Sequence, residues 1–293
     1  EIENEIRKLR NDLKDISDPE NSIEYFQQAF TLYSILDEKK YQAWALGNIG
    51  NSYDELGQPQ HALENYQQAL SLLLTFNGDK IRTELAGMHL NLANTYSSLN
   101  EPMQTIYHCH QAISLLSADE ADSNLNIYPL IHLGNSYLRL NKLQNSLEYF
   151  QQAKSLCLDL NAGKKFTEQA VVLLGMGNVY GKLRQPQRAI EYFQQVLSLL
   201  LDLGEIGTSK VRALTLLNLS SEYNQIGLLQ QALIHSQNAL TIFSSLNEMQ
   251  TRMERAILYA NRGNIYQKLE QPHLAVKSYQ QALSLFSTCE KNK

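Results

Sequence analysis

One stretch of the sequence gathers side chains that bind metals or attack carbonyls: His108-Cys109-His110. A thiol beside an imidazole is the pairing of a cysteine nucleophile with its base, and two histidines with a cysteine could begin a zinc site. The local geometry argues against both. Consecutive residues of a helix point in different directions, and no spaced set of further ligands and no partner acid accompany the trio. Cys109 instead occupies a repeated position held mostly by aromatic side chains, where a small apolar residue serves the core. His89 falls in a core position too, and His132 in one expected to face a groove. Glycine-containing turns such as GNSYDELGQ match neither GxxxxGK[ST] nor GxGxxG, so no nucleotide site is implied. The expectation is a protein that is not an enzyme and holds no metal and no cofactor.

The polar residue that does recur is asparagine. One series reads Asn11, Asn51, Asn94, Asn135, Asn178, Ser221 and Asn264; a second reads Asn48, Asn91, His132, Gly175, Asn218 and Asn261. Asparagine is a mediocre helix former, so its regular return inside helical segments needs a reason. Amides bonding one helix to the next would be one reason; amides gripping the backbone of an extended peptide would be another. One amide has enough donor and acceptor sites for both.

These series exist because the chain repeats. Tyr53 returns as Tyr96, Tyr137, Tyr180, Tyr223 and Tyr266, at intervals of 43, 41, 43, 43 and 43 residues. Ala69 returns as Ala112, Ala153, Val196, Ala239 and Ala282 and has an earlier counterpart in Ala29. Seven units follow, spanning 1–39, 40–79, 80–120, 121–163, 164–206, 207–248 and 249–293 of one repeat domain, 1–293. Within unit two, Leu46, Ile49, Gly50 and Tyr53 mark one helical face, and Ala62, Tyr66, Ala69, Leu70 and Leu73 mark another. Proline at 19, 59, 102, 186 and 272 sets the first turn of each second helix, where its missing N–H would have no partner. Pro129 is read near the start of a first helix. No useful strand-like alternation is present, so the fold class is all α.

Small residues recur where helices must approach: Gly50, Ala93, Gly134, Gly177, Ser220 and Gly263 in one column, and Ser22, Ala62, Thr105, Ser146, Ala189, Ala232 and Ala275 in another. The Tyr53 and Tyr66 columns supply the bulk between them. Unit one has its apolar stripe (Ile6, Leu9, Leu13, Ile16) surrounded by charge, which suits a terminal cap.

Composition excludes several classes. Apolar residues make up 43% of 293, enough for a continuous core. A net charge of −5 argues against nucleic acid. The longest apolar run, LSLLLTF at 70–76, is too short to insert in a membrane. Three scattered cysteines and no signal peptide suggest a reducing, cytoplasmic setting. A chain opening on Glu1 reads as a piece of a longer protein, with a following domain or a self-associating end after unit seven.

The spacing Leu46-x2-Ile49-Gly50-x2-Tyr53, followed by Ala62-x3-Tyr66 and Ala69, resembles the tetratricopeptide repeat. The period of about 43 exceeds the usual 34 of that repeat, which is similar to kinesin light chains and Pins-type adaptors. Second helices such as EYFQQVLSL are more similar to bacterial, particularly cyanobacterial, members. This resemblance implies a right-handed α-solenoid whose first helices line a concave groove for an extended protein or peptide partner, as the recognition arm of a signalling or regulatory protein. On that basis the groove residues are Asn48, Asn51, Asn91, Asn94, Asn135, Asn178, Asn218, Asn261 and Asn264, with Trp44, Tyr128 and His132. A chaperone C-terminal tail is not the expected ligand, because the clamp positions hold Trp44, Gly47, Gly87, Leu90, Ile131, Leu174 and Leu217 rather than Lys and Arg. An apolar or mixed segment is. Arg139, Lys182 and Lys268 share a column read as solvated charge or as a basic edge. The alternative to a peptide scaffold is a structural module that self-associates through its ends or convex face.

Overall fold

The computed structural model describes residues 18–76, 81–116, 127–159, 166–203, 208–246 and 248–290. The predicted helix over 2–16, with Asn11, lies outside them. Thirteen helices and no strand are found among the described residues. In chain order they are α1 (Pro19–Ile35), α2 (Lys39–Glu55), α3 (Pro59–Leu73), α4 (Arg82–Ser98), α5 (Pro102–Leu116) and α6 (Ile127–Arg139). Then come α7 (Leu143–Asp159), α8 (Phe166–Lys182), α9 (Pro186–Leu203), α10 (Ser209–Gln225), α11 (Leu229–Ser245), α12 (Glu248–Lys268) and α13 (Pro272–Glu290). The five predicted prolines each open a second helix, and Pro129 lies in the first turn of α6. None of these helices has an 18-residue stretch apolar enough to cross a membrane.

The chain divides into two compact units, Glu1–Lys142 and Leu143–Lys293. In the N-terminal unit each of α1 to α6 packs on the next, and the first helices α2, α4 and α6 also touch in succession. The C-terminal unit repeats this arrangement from α7 to α13, with α8, α10 and α12 as neighbouring first helices.

Every hairpin turn uses one device. The residue four after the repeat tyrosine adopts positive φ: Gly57 (69°), Asn100 (61°), Asn141 (57°), Arg184 (56°), Gly227 (81°) and Glu270 (57°). The next N–H then reaches back to the tyrosine carbonyl, as in Gln58 to Tyr53 at 2.8 Å and Gln271 to Tyr266 at 2.9 Å. This satisfies a carbonyl that the helix end would leave orphaned. Glycine reaches the left-handed region without cost, whereas a side chain there is strained by roughly 1–2 kcal/mol. Arg184→Gly or Glu270→Gly is therefore expected to stabilise the chain by about 1 kcal/mol in urea denaturation; no gain in either would mean that the turn geometry is not limiting.

Packing inside the hairpins is a trade of volumes. A β-carbon added at Gly50, Gly177 or Gly263 would lie within 3.0 Å of the ring of Tyr66, Phe193 or Tyr279, the aromatic residue sixteen positions on. Where that partner is small, the glycine is gone: Ala93 accompanies Cys109, and Ser220 accompanies Ser236, all fully buried. The repeat tyrosine stacks on the ring twelve residues later, Tyr96 on His108 (5.4 Å between centroids), Tyr180 on Tyr192 (5.3 Å) and Tyr223 on His235 (5.2 Å). Flat aromatic faces are thus buried against each other along the hairpins.

Arg139 and Lys268 are exposed to solvent, and each is also tied by hydrogen bonds to the preceding first helix rather than left as a free basic edge. The Arg139 guanidinium donates to the Ser97 carbonyl at 2.8 Å and to Asn100 Oδ1 at 3.2 Å. Lys268 Nζ donates to the Asn224 carbonyl at 2.9 Å and to its Oδ1 at 2.8 Å. Each cation caps the last turn of the preceding first helix, where positive charge also complements the helix dipole.

Candidate functional site: a cleft on the first helices

Within the N-terminal unit, α2 and α4 leave a cleft of about 850 Å³ between them, closed on one side by Phe26 of α1 and at depth by Leu73 of α3. Four of the predicted groove residues line it: Trp44, Asn48, Asn51 and Asn91. Trp44 is 42% exposed and sets its ring edge-on to Phe26, with centroids 5.3 Å apart. Met88, Ala43 and Tyr41 complete an apolar wall, and the Lys40–Glu84 ion pair at 2.6 Å lies on the polar rim. The hydrogen bond to Glu84 holds the Lys40 ammonium above its usual range.

Two glycines line the cleft, and at Gly87 the missing side chain leaves open space. Gly47 stands where the other units carry Leu90, Ile131, Leu174, Leu217 and Ala260. Gly87 belongs to the column of Trp44, Tyr128, Val171, Leu214 and Ile257. A β-carbon at Gly87 would meet nothing within 4 Å, while one at Gly47 would meet the Met88 methyl at 2.7 Å. Lone glycines in two apolar columns were the sequence signal for this space.

The asparagine series is partly committed to holding helices together. Asn51 Oδ1 accepts from the Tyr66 hydroxyl at 2.8 Å, within its hairpin, and from Asn91 Nδ2 at 3.1 Å, on the next first helix. In the C-terminal unit Asn218 Nδ2 donates to Asn178 Oδ1 at 2.7 Å, and the Tyr279 hydroxyl donates to Asn264 Oδ1 at 2.7 Å. Asn48 Nδ2 turns back to the Trp44 carbonyl at 2.8 Å. Among the described residues Asn94, Asn135 and Asn261 make no side-chain hydrogen bond to the protein, and none of them is buried. They lie outside the cleft, as do Tyr128 (49% exposed) and His132. Burial, with help from Arg139, holds the His132 imidazole below its usual range, and its buried Nδ1 has no partner.

Behind the cleft, Asp54 Oδ2 accepts from the Thr95 hydroxyl at 2.8 Å and from the Tyr66 hydroxyl at 3.2 Å. Burial raises the Asp54 carboxyl despite these bonds. The same desolvation, reinforced by Asp54, keeps the Tyr66 phenol far above its ordinary value.

The residues with chemical potential are arranged for packing. Cys109 is fully buried, and burial pushes its thiol up to about 12, which leaves it an inert thiol at neutral pH. His89 and His108 are buried with their Nδ1 atoms 2.9 Å apart, one N–H donating to the other's lone pair. No group of three metal-binding side chains occurs among the described residues.

A tetratricopeptide repeat family model matches residues 12–75 and 127–202, and a second tetratricopeptide repeat model matches residues 256–289. The chain belongs to the tetratricopeptide repeat family, and its hairpin array is a protein-interaction scaffold. Among solved structures it is similar to a tetratricopeptide repeat protein from Parabacteroides merdae, with a TM-score of 0.65 and 17% identity over 96% of this chain and 93% of that one. BtubC (BKLC) from P. vanneervenii gives a TM-score of 0.63 and 15% identity, covering 79% and 92% of the two chains. Aspartyl phosphate phosphatase F from Bacillus subtilis gives 0.64 and 14%, covering 87% and 74%. At these identities the likeness is one of fold. No curated protein sequence matches the chain.

Proposed function

We propose that the chain is a non-catalytic scaffold that grips an extended peptide segment of a partner in the cleft between α2 and α4, as the recognition arm of a regulatory protein. The observation that carries this reading is the convergence of Trp44, Asn48, Asn51 and Asn91 on one cavity of about 850 Å³ with an apolar floor. Clefts of that volume with few polar groups on an apolar lining are the usual shape of a ligand site. The Asn51 amide N–H groups, which have no partner among the described residues, supply donors for a peptide backbone. An apolar anchor side chain fits the space left by Gly87, against the Trp44 ring.

Trp44 is the only tryptophan, so its fluorescence reports occupancy of the cleft directly. The test is to pan a random peptide library against the chain and titrate the selected peptides while following that emission. Gly87→Tyr places in the gap a side chain that the Tyr128 position of the same column already carries. It is expected to weaken the selected peptides at least about tenfold while raising helix stability by about 0.5 kcal/mol. Peptides that bind this variant as tightly as the wild type, or that leave the Trp44 emission unmoved, would exclude the cleft.

A further inference from the structure

The seventh hairpin departs from the repeat's own pattern at three positions, and all three line one cleft of about 530 Å³ between α11, α12 and α13. The column of Ile49, Leu92, Leu133, Met176 and Leu219 is buried and apolar, yet its last member is Arg262. The column of Glu24, Glu64, Tyr107, Glu148, Glu191 and Ile234, which carries no cation in any earlier unit, ends in Lys277. The column whose His108, Tyr192 and His235 rings stack on the repeat tyrosine, and which holds Asn65 in unit two, ends in Ser278, too small to fill that place.

Without a stacked ring, the Tyr266 face is taken by the Arg262 guanidinium, 5.8 Å from its centroid. One guanidinium nitrogen donates to Gln237 Oε1 on α11 at 2.7 Å, and the other to the Tyr266 hydroxyl at 3.1 Å. Arg262 therefore points back at the preceding hairpin, which a cation solvating the outer face of the last one would not do. Its Nε is buried without an acceptor. Lys277 has no ion pair or hydrogen bond among the described residues. The lining contains two cations and no carboxylate, in a chain whose net charge is −5. The cleft is short of negative charge.

We propose that this cleft is an oxyanion site, taking a phosphate monoester or carboxylate group of a ligand. The guanidinium offers a planar fork held in place by Gln237 and Tyr266, and the Lys277 ammonium, from α13, offers a mobile point charge to the same cleft. Gln281, Thr241 and Tyr259 line the same space and suit the remaining oxygens. The site is separate from the α2–α4 cleft, so each can fail without the other.

The repeat supplies variants that should fold: Arg262→Leu and Lys277→Glu restore the residues that the same columns hold elsewhere. Calorimetric titration at low salt with inorganic phosphate, phosphoserine and succinate is expected to give dissociation constants of about 1 mM for at least one probe. Either variant should weaken binding about tenfold, and the pair should abolish it, while Gly87→Tyr leaves it unchanged. Preference for phosphate and phosphoserine over succinate would point to a phosphorylated ligand; equal binding of all three would point to any oxyanion. Absence of binding by every probe up to about 50 mM, or equal binding by the Arg262→Leu/Lys277→Glu protein, would overturn the proposal.

Discussion

Replacing Gly177 by leucine is expected to lower the stability of the C-terminal unit by about 3 kcal/mol, the upper part of the range for overpacked cores. The reason is local. A β-carbon at Gly177 already falls within 3.0 Å of three carbons of the Phe193 ring, and that ring is 1% exposed with no free volume to enter. A double-mutant cycle makes the argument sharper. Gly177→Ala alone should cost about 2 kcal/mol and Phe193→Cys alone about 3 kcal/mol. The double variant reproduces the Ala93–Cys109 pair that the third hairpin uses. It should be less destabilised than the sum by about 1–2 kcal/mol, as residues in contact couple by amounts of that order. Strict additivity in urea denaturation would show that glycine is there for some reason other than the facing ring.

Acid is expected to weaken the fold between pH 6.5 and about 5, well before carboxylates titrate in bulk. Burial holds His89, His132 and His235 below the usual imidazole range, and it takes His108, with the neighbouring His89 adding to the effect, down to about 4. The unfolded chain protonates these rings near pH 6.5, while the folded chain resists until far lower pH. Their contribution is thus complete above pH 6.5 and is lost as pH falls toward 4. For His108 alone it amounts to about 2 kcal/mol after allowance for residual solvent screening. Asp54 and Glu222, raised by burial, act in the opposite sense as they take up protons, which confines the loss mainly to the upper part of that window. His89→Leu with His108→Tyr installs the pair that other hairpins carry at these positions, as Leu173 with Tyr192 does. Denaturation midpoints at pH 7.5 and 5.5 should then converge; a pH dependence unchanged in the double variant would mean that other groups cause it.

The helices were readable because their signals are local. Proline can open a second helix but not continue the first, and a tyrosine returning every 41 to 43 residues marks the same face of each first helix. The site was half readable. Trp44, Asn48, Asn51 and Asn91 were recognisable as polar or aromatic residues in first-helix columns, and the cleft does gather them. What opens the cleft is the absence of a side chain at Gly87, and a reading that weighs the residues present passes over a missing one. The division of labour among the asparagines was also hidden. Whether Asn51 bonds Asn91 or a ligand depends on the separation of α2 and α4, which periodicity along one helix does not encode. The hydrogen bonds of Arg139 and Lys268 were hidden for a related reason: a long side chain reaches a carbonyl some 40 residues away in sequence, beyond anything spacing in one helix reveals.

The bond made by those two cations has a consequence for how such an array can change over time. One acceptor in each case is a main-chain carbonyl, that of Ser97 or of Asn224, beside the Asn100 or Asn224 Oδ1. A carbonyl is present whichever amino acid occupies the position, so for that bond only the donor needs to be encoded. A hairpin carrying Arg or Lys two residues after its tyrosine brings its own fastening and finds the socket already built on whatever hairpin precedes it. Duplication or exchange of a unit then preserves the joint without a matching mutation, which suits a chain that grows by copying itself.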